Sequence, residues 1–265
     1  STTRPETSPT SSFTEFVPMS MTALRSTSMR LQIVRSNETA KRKVIAVATF
    51  PSNPQRLQSS GMTRLVLFDI DGTLLRTGGA GVRAFAEVFD RHFDARDGFE
   101  NLRFPGGTDY SIVRKFFEAH RIPPSAANFE KFFSEYAVAL QKHLESANVL
   151  LCPGVMNFIA QSRQRGIPVG LLTGNVKRGA EIKLRHAGLW EQFAFGGFAD
   201  DHELRSGIAE AAKRRGEEYT GCKLAGPEVL VVGDTPLDVD CARSIGARVL
   251  AVATGGATLR ELEQS

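Results

Sequence analysis

Thr63-Arg-Leu-Val-Leu-Phe68, running directly into Asp69-Ile-Asp71-Gly72-Thr73-Leu74, is the stretch on which the fold of this chain turns. The first six residues are a short β-branched and aliphatic run without polar alternation, which reads as a strand buried on both faces of a parallel sheet. Comparable runs recur at Ile167–Leu172, Val229–Val232 and Val249–Val252. Helical segments separate them. Val176–Ala187 reads as one, stopped by Gly188, and Ser206–Gly216 as another, with alanines on one side and Lys213, Arg214 and Arg215 near its end. Strands alternating with helices predict an α/β fold, a doubly wound Rossmann-like parallel sheet.

Residues 78–151 interrupt the alternation. Their apolar residues keep helical spacing: Phe85, Val88, Phe89 and Phe93, then Ile112, Val113, Phe116 and Phe117, then Phe129, Phe133, Tyr136, Leu140 and Leu144. This predicts an inserted all-helical subdomain packed on phenylalanine, between core segments 62–77 and 152–265. The aromatic stripe also fits a cofactor pocket, but core packing accounts for it more simply. Ahead of the core, residues 1–61 are rich in Ser, Thr and Pro and lack sustained periodicity, so disorder is expected there. The same segment suits a transit peptide, or a stretch translated ahead of a true start at Met62.

Charge narrows the function classes. The chain has 265 residues and a formal net charge of +4, but residues 1–61 hold eight Lys and Arg against three acids. The remainder is left with 25 bases and 26 acids, so no basic surface for nucleic acid is expected of the folded part. Cys152, Cys222 and Cys241 stand singly, as reduced thiols of a cytoplasmic protein do, with organelle targeting by residues 1–61 left open. The longest apolar run, Val44 to Phe50, is too short to span a bilayer, so no membrane partner is expected.

Asp69 and Asp71 follow a strand at the edge where open α/β sheets bind ligands. A carboxylate there can attack phosphorus, splitting one hard displacement into two easier ones. A second carboxylate can protonate the leaving oxygen and later deprotonate water. Gly72 lets the backbone approach a phosphate. An acidic turn is the plain alternative. After the next strand, Thr173-Gly174-Asn175 opens a helix, which makes either an anion site or a helix cap. After the third, Gly233-Asp234-Thr235-Pro236-Leu237-Asp238 brings further acids of the kind that hold Mg²⁺.

Together these stretches resemble the haloacid dehalogenase superfamily, whose motifs include DxDGT, a Thr or Ser, and GDxxxD. The insertion is similar to the family's type 1 cap. Pro105-Gly106-Gly107-Thr108-Asp109 brings the chain nearest to the phosphoglycolate phosphatase-like branch. The resemblance implies that Asp69 is the nucleophile and a metal ligand, and that Asp71 is the acid/base, lending its backbone carbonyl to the metal. It implies that Thr173 holds the phosphate with Gly72, Gly174 and Asn175 beside it, and that Asp234 and Asp238 bind Mg²⁺. The family's usual third-motif Lys is missing, since no lysine lies between Lys183 and Lys213. Arg205 is the best match, offering the same charge and a bidentate fork. It could instead pair with Asp200 or Asp201 at the surface, with Lys177 and Arg178 as alternative phosphate neighbours. His202 reads as a solvated loop residue.

The expectation is a Mg²⁺-dependent phosphatase for a small phosphorylated metabolite, acting through an aspartyl-phosphate. The alternatives are a phosphomutase of the same fold and a non-catalytic phosphate-binding domain. Dehalogenation is set aside, because that branch lacks the acid at the position of Asp71. Arg83, Arg103, Tyr110 and Arg114 are the residues expected to meet an anionic leaving group.

Overall fold

The structure, a computed structural model, describes residues 45–48, 62–96 and 107–265. Expectations for the rest of residues 1–61, and for Arg103, Pro105 and Gly106, lie outside the described residues. The elements run β1 (Ile45–Ala48), β2 (Leu65–Phe68), β3 (Leu75–Arg76), α1 (Ala80–Phe93), α2 (Asp109–Ala119), α3 (Ala126–Glu145), β4 (Leu150–Leu151) and α4 (Val155–Gln164). They continue with β5 (Val169–Leu172), α5 (Lys177–His186), β6 (Gly196–Gly197), α6 (Arg205–Thr220), β7 (Val229–Gly233), α7 (Pro236–Ser244), β8 (Arg248–Val252) and α8 (Leu259–Gln264).

The main sheet has the order β1-β8-β7-β2-β5-β6. From β8 to β6 every pairing is parallel, and β2 lies at the centre. Its unbroken apolar sequence follows from burial on both faces. Val66 and Phe68 pack with Val155 and Ile159 of α4, while Leu65 and Leu67 pack with Ile208 and Ala212 of α6 and Val239 of α7. This is the doubly wound arrangement expected. No helix among the described residues is long and apolar enough to cross a membrane.

Two elements differ from expectation. Ile45–Ala48 lies in the segment expected to be disordered, yet it forms an antiparallel edge strand on β8. The apolar run Val44–Phe50 supplies the sequence, and the open edge of β8 supplies backbone partners. Helix α6 continues to Thr220 rather than ending at Gly216. Gly216 is an interior position whose missing side chain admits Leu65, since a Cβ there would lie 2.6 Å from a Leu65 methyl.

The chain leaves and re-enters the core through a two-stranded ribbon, with Leu75 opposite Leu151 and Arg76 opposite Leu150. Cys152 N also donates to Leu74 O at 2.9 Å, so both crossings are tied at one point. Between them, helices α1, α2 and α3 bury Phe85, Phe89, Phe116, Phe117 and Phe132. Phe89 stacks on Phe116 with centroids 3.7 Å apart, and Phe132 meets Phe85 edge-on at 5.1 Å. Phe132, which the helical stripe through Phe129 and Phe133 passed over, is fully buried, whereas Phe133 is only half-buried.

Candidate active site

Strands β7, β2 and β5 are neighbours, so the three loops at their carboxyl ends meet. Asp69 N donates to Val232 O at 2.9 Å, which holds the first loop against the third. Asp69, Asp234 and Asp238 are all buried, and each offers a carboxylate oxygen within 4.8 Å of the others. The turn of Gly72 makes this approach possible. Its φ is +85°, and a Cβ there would lie 2.5 Å from Asp234 Oδ2 and 2.8 Å from Gly255 Cα. The glycine is therefore required by the Asp234 carboxylate as well as by its own backbone. Thr73 Oγ1 donates to Asp234 Oδ1 at 3.1 Å.

Packing Asp69 and Asp234 out of water beside a third carboxylate raises their affinity for protons. Burial, then the nearby Asp238 carboxylate, holds Asp69 well above the usual carboxylate range, with Arg205 pulling the other way. Burial and Asp238 push Asp234 up to about 7. Arg205 is the cation within this cluster. Its Nη2 donates to Asp69 Oδ1 at 3.5 Å and also to Asp238 Oδ1. Burial opposes its charge, but the carboxylates of Asp238 and Asp69 raise its pKa regardless. The surface alternative fails: Asp201 pairs with Arg215 at 2.6 Å, and Asp200 accepts from Lys177 N. Asp238 also anchors its own loop, since Oδ2 accepts from Asp234 N, Thr235 N and Thr235 Oγ1 at 3.2, 2.9 and 2.7 Å.

Asp71 stands apart from the three buried acids. Its side chain is 42% exposed, and its Oδ2 accepts from Asn175 Nδ2 at 2.8 Å and from Lys183 Nζ at 2.6 Å. Lys183 also donates to Asn175 Oδ1 at 2.5 Å. Thr173 is buried, and its Oγ1 accepts from Asn175 N and Nδ2 at 3.3 and 2.9 Å. Its acceptor capacity thus serves Asn175, and its own proton is what it has to offer an anion. The sequence reading gave Lys183 no role, though a signal existed: it shares a buried side of α5 with Gly179 and Ile182, where a lone lysine is out of place.

The helical insertion reaches the site through residues 107–109. Asp109 N donates to Gly174 O at 2.7 Å, and Val176 N donates to Asp109 Oδ2 at 2.8 Å. Gly174 permits this contact, because a Cβ there would lie 2.6 Å from Gly107 O. Burial pushes Asp109 up to about 7. A cavity of about 1050 Å³ opens between the two layers, lined by Asp69, Asp71, Gly72, Gly174, Asn175, Arg205 and Asp234 from the core and by Val82, Gly107, Asp109 and Ile112 from the insertion. The other basic and aromatic candidates among the described residues lie off it. Arg114 is clamped on Glu203 at 2.6 and 2.9 Å, Arg83 donates to Gly78 O at 2.8 Å, and Tyr110 packs between Phe129 and Phe133. Lys177 and Arg178 are exposed and do not line the cavity, and His202 Nδ1 meets its own loop at Leu204 N, 2.9 Å.

Residues 66–252 match the family described as haloacid dehalogenase-like hydrolase. The chain belongs to that family. A phosphoglycolate phosphatase of Synechococcus elongatus is 27% identical over 72% of this chain and 84% of its own length. A bifunctional riboflavin kinase/FMN phosphatase of Arabidopsis thaliana is 24% identical over 72% of this chain, which spans about half (48%) of that relative. Among solved structures, CbbY from Rhodobacter sphaeroides in complex with phosphate superposes with a TM-score of 0.56 at 20% identity, over 71% of this chain and 85% of that one. This hydrolase thus sits in the phosphoglycolate phosphatase-like branch, among enzymes that act on phosphate esters.

Proposed function

We propose that this hydrolase is a Mg²⁺-dependent phosphatase of a small phosphorylated metabolite, working through a phosphoryl group carried on Asp69. The observation that carries the reading is one cavity in which Asp69, Asp71, Asn175 and Arg205 line the same wall as Asp234. Asp69 attacks phosphorus, and the bond to the leaving oxygen breaks as that oxygen takes the proton of Asp71. Asp71, now a carboxylate, accepts a proton from water as the water oxygen attacks the phosphoryl group. The bond to Asp69 then breaks, releasing inorganic phosphate and restoring the enzyme. Arg205, already against Asp69, draws charge from the phosphoryl oxygens, and Asn175 and the backbone around Gly174 frame the anion.

The donor set suits Mg²⁺. Asp69, Asp234 and Asp238 offer only hard oxygens, close together, and among the described residues Arg205 pairs with Asp69 and Asp238 but not with Asp234, so a second cation is electrostatically welcome. Asp69 and Asp234, with the backbone carbonyl of Asp71, would hold it directly, and Asp238, occupied by Thr235 and Arg205, directly or through water. When bound, the ion neutralises charge on the phosphoryl group and the nucleophile.

A panel of phosphorylated metabolites, scored for inorganic phosphate with and without Mg²⁺ after chelation, tests the reading. We expect Mg²⁺-dependent release that Asp69→Asn abolishes while the variant keeps its thermal midpoint. Turnover surviving in Asp69→Asn removes the covalent route. Phosphoryl transfer back to substrate without free phosphate replaces phosphatase with mutase.

A further inference from the structure

Lys183 is a buried cation that the phosphatase chemistry above does not use. It is 5% exposed, on the side of α5 that faces the insertion. A Cβ on Gly81 of α1 would lie 3.6 Å from its Nζ and 3.8 Å from the hydroxyl of Tyr136 on α3. In that enclosed setting Nζ makes two short contacts, 2.6 Å to Asp71 Oδ2 and 2.5 Å to Asn175 Oδ1, while Asn175 Nδ2 completes the triangle to Asp71 at 2.8 Å.

The pair is lopsided. The lysine side chain is 6% exposed and the aspartate 42%. A buried ion pair is poor evidence for stability, because desolvation offsets its attraction. Here the desolvated partner is not among the residues that line the cavity, whereas Asp71 is. Both contacts fall on Oδ2, and among the described residues Oδ1 takes no hydrogen bond. One oxygen is clamped and the other is left for the leaving group.

We propose that Lys183 is a positioning residue for Asp71: with Asn175 it fixes the rotation of that carboxylate so that Oδ1 meets the leaving oxygen. The inference rests on the phosphatase reading with Asp71 as acid/base. Misplacing a reacting group by about 1 Å can cost about 100-fold in rate. The loss should therefore appear in kcat/KM, which covers the steps up to phosphoryl transfer onto Asp69, wherever that transfer needs a proton on the leaving group, and vanish from it where the leaving group departs unaided.

The test uses the full chain with two esters, phenyl phosphate, whose leaving oxygen needs a proton, and 4-nitrophenyl phosphate, whose leaving oxygen does not. Lys183→Met should lower kcat/KM on phenyl phosphate by about 100-fold and on 4-nitrophenyl phosphate by less than about 5-fold, within the range expected of general acid catalysis. Asp71→Asn should give the same split, and Lys183→Arg should recover much of the loss. An equal loss on both esters, or none, overturns the role of Lys183. If Lys183→Met does not fold, the split read on Lys183→Gln decides by the same criterion. A split in Asp71→Asn without one at Lys183 overturns only this inference. A wild-type chain that releases no phosphate from either ester removes the phosphatase reading, and this inference with it.

Discussion

The α/β core and the helical insertion meet at one cavity but bury opposite materials beside it. At the carboxyl edge of the sheet the core buries Asp69, Asp234, Asp238 and Arg205. A few residues away, α1, α2 and α3 bury Phe85, Phe89, Phe116, Phe117 and Phe132. Packed rings gain stability from every contact, and the loss of one leaves a void but strands no charge. Clustered charges are held only as long as each has its counter-charge, and the loss of one leaves the others stranded. The insertion is therefore held by contacts that need no partner charge, and the core edge by charges that do. That asymmetry is what a site needs if it must accept a charged ligand.

The largest effect should follow from breaking the charged side. Arg205→Ala leaves Asp69 and Asp238 buried without their cation, which should lower unfolding free energy by about 3–5 kcal/mol. Phosphate release should fall with it. Chemical denaturation read beside activity checks this, and Arg205→Lys should restore part of both. A variant as stable as wild type would show that Arg205 does not compensate the cluster.

Phe132→Ala breaks the apolar side. Truncating a fully buried phenylalanine should cost about 3–5 kcal/mol of stability. Turnover per folded molecule should change far less than for Arg205→Ala, because Phe132 packs on other rings and does not itself line the cavity. A denaturation curve and an activity assay below the new midpoint separate the two. A loss of turnover as large as that of Arg205→Ala would mean that the ring layer positions the chemistry.

The smallest effect belongs to the seam. Asp109 is raised from an ordinary 3.8 to about 7, so between those values the folded chain binds a proton that the unfolded chain has released. Its contribution to stability therefore falls as pH rises from about 4 to about 7 and is level above. Asp109→Asn keeps an acceptor for Val176 N but has nothing to ionise. Relative to wild type, the variant's thermal midpoint should rise between pH 5 and pH 7.5. Parallel curves would show that Asp109 does not titrate in that window.

Much of this was legible locally. The strand ending at Phe68 and the acids after it are adjacent in sequence, and the helical spacing from Phe85 to Leu144 marks the insertion. What escaped is instructive. β6 is Gly196–Gly197, a pair that strand propensity disfavours. It is a strand because α6 passes close by: a Cβ on Gly197 would collide with the carbonyl of Ile208, and one on Gly196 would lie 2.7 Å from Leu171 Cβ. Arg114 looked like a substrate contact until Glu203 claimed it, and Lys183, given no role by the sequence, meets Asp71 through the docking of α5.

The sequence by itself determined which chemical groups sit at the ends of β2, β5 and β7, because a strand, its loop and the opening of the next helix are set by neighbouring residues. Only the tertiary structure decided which cation meets which carboxylate: Arg205 with Asp69 and Asp238, Lys183 with Asp71. The physical reason is distance dependence. A charge pair in a low-dielectric interior is governed by separations of a few ångströms, and those arise from how whole helices pack on a sheet.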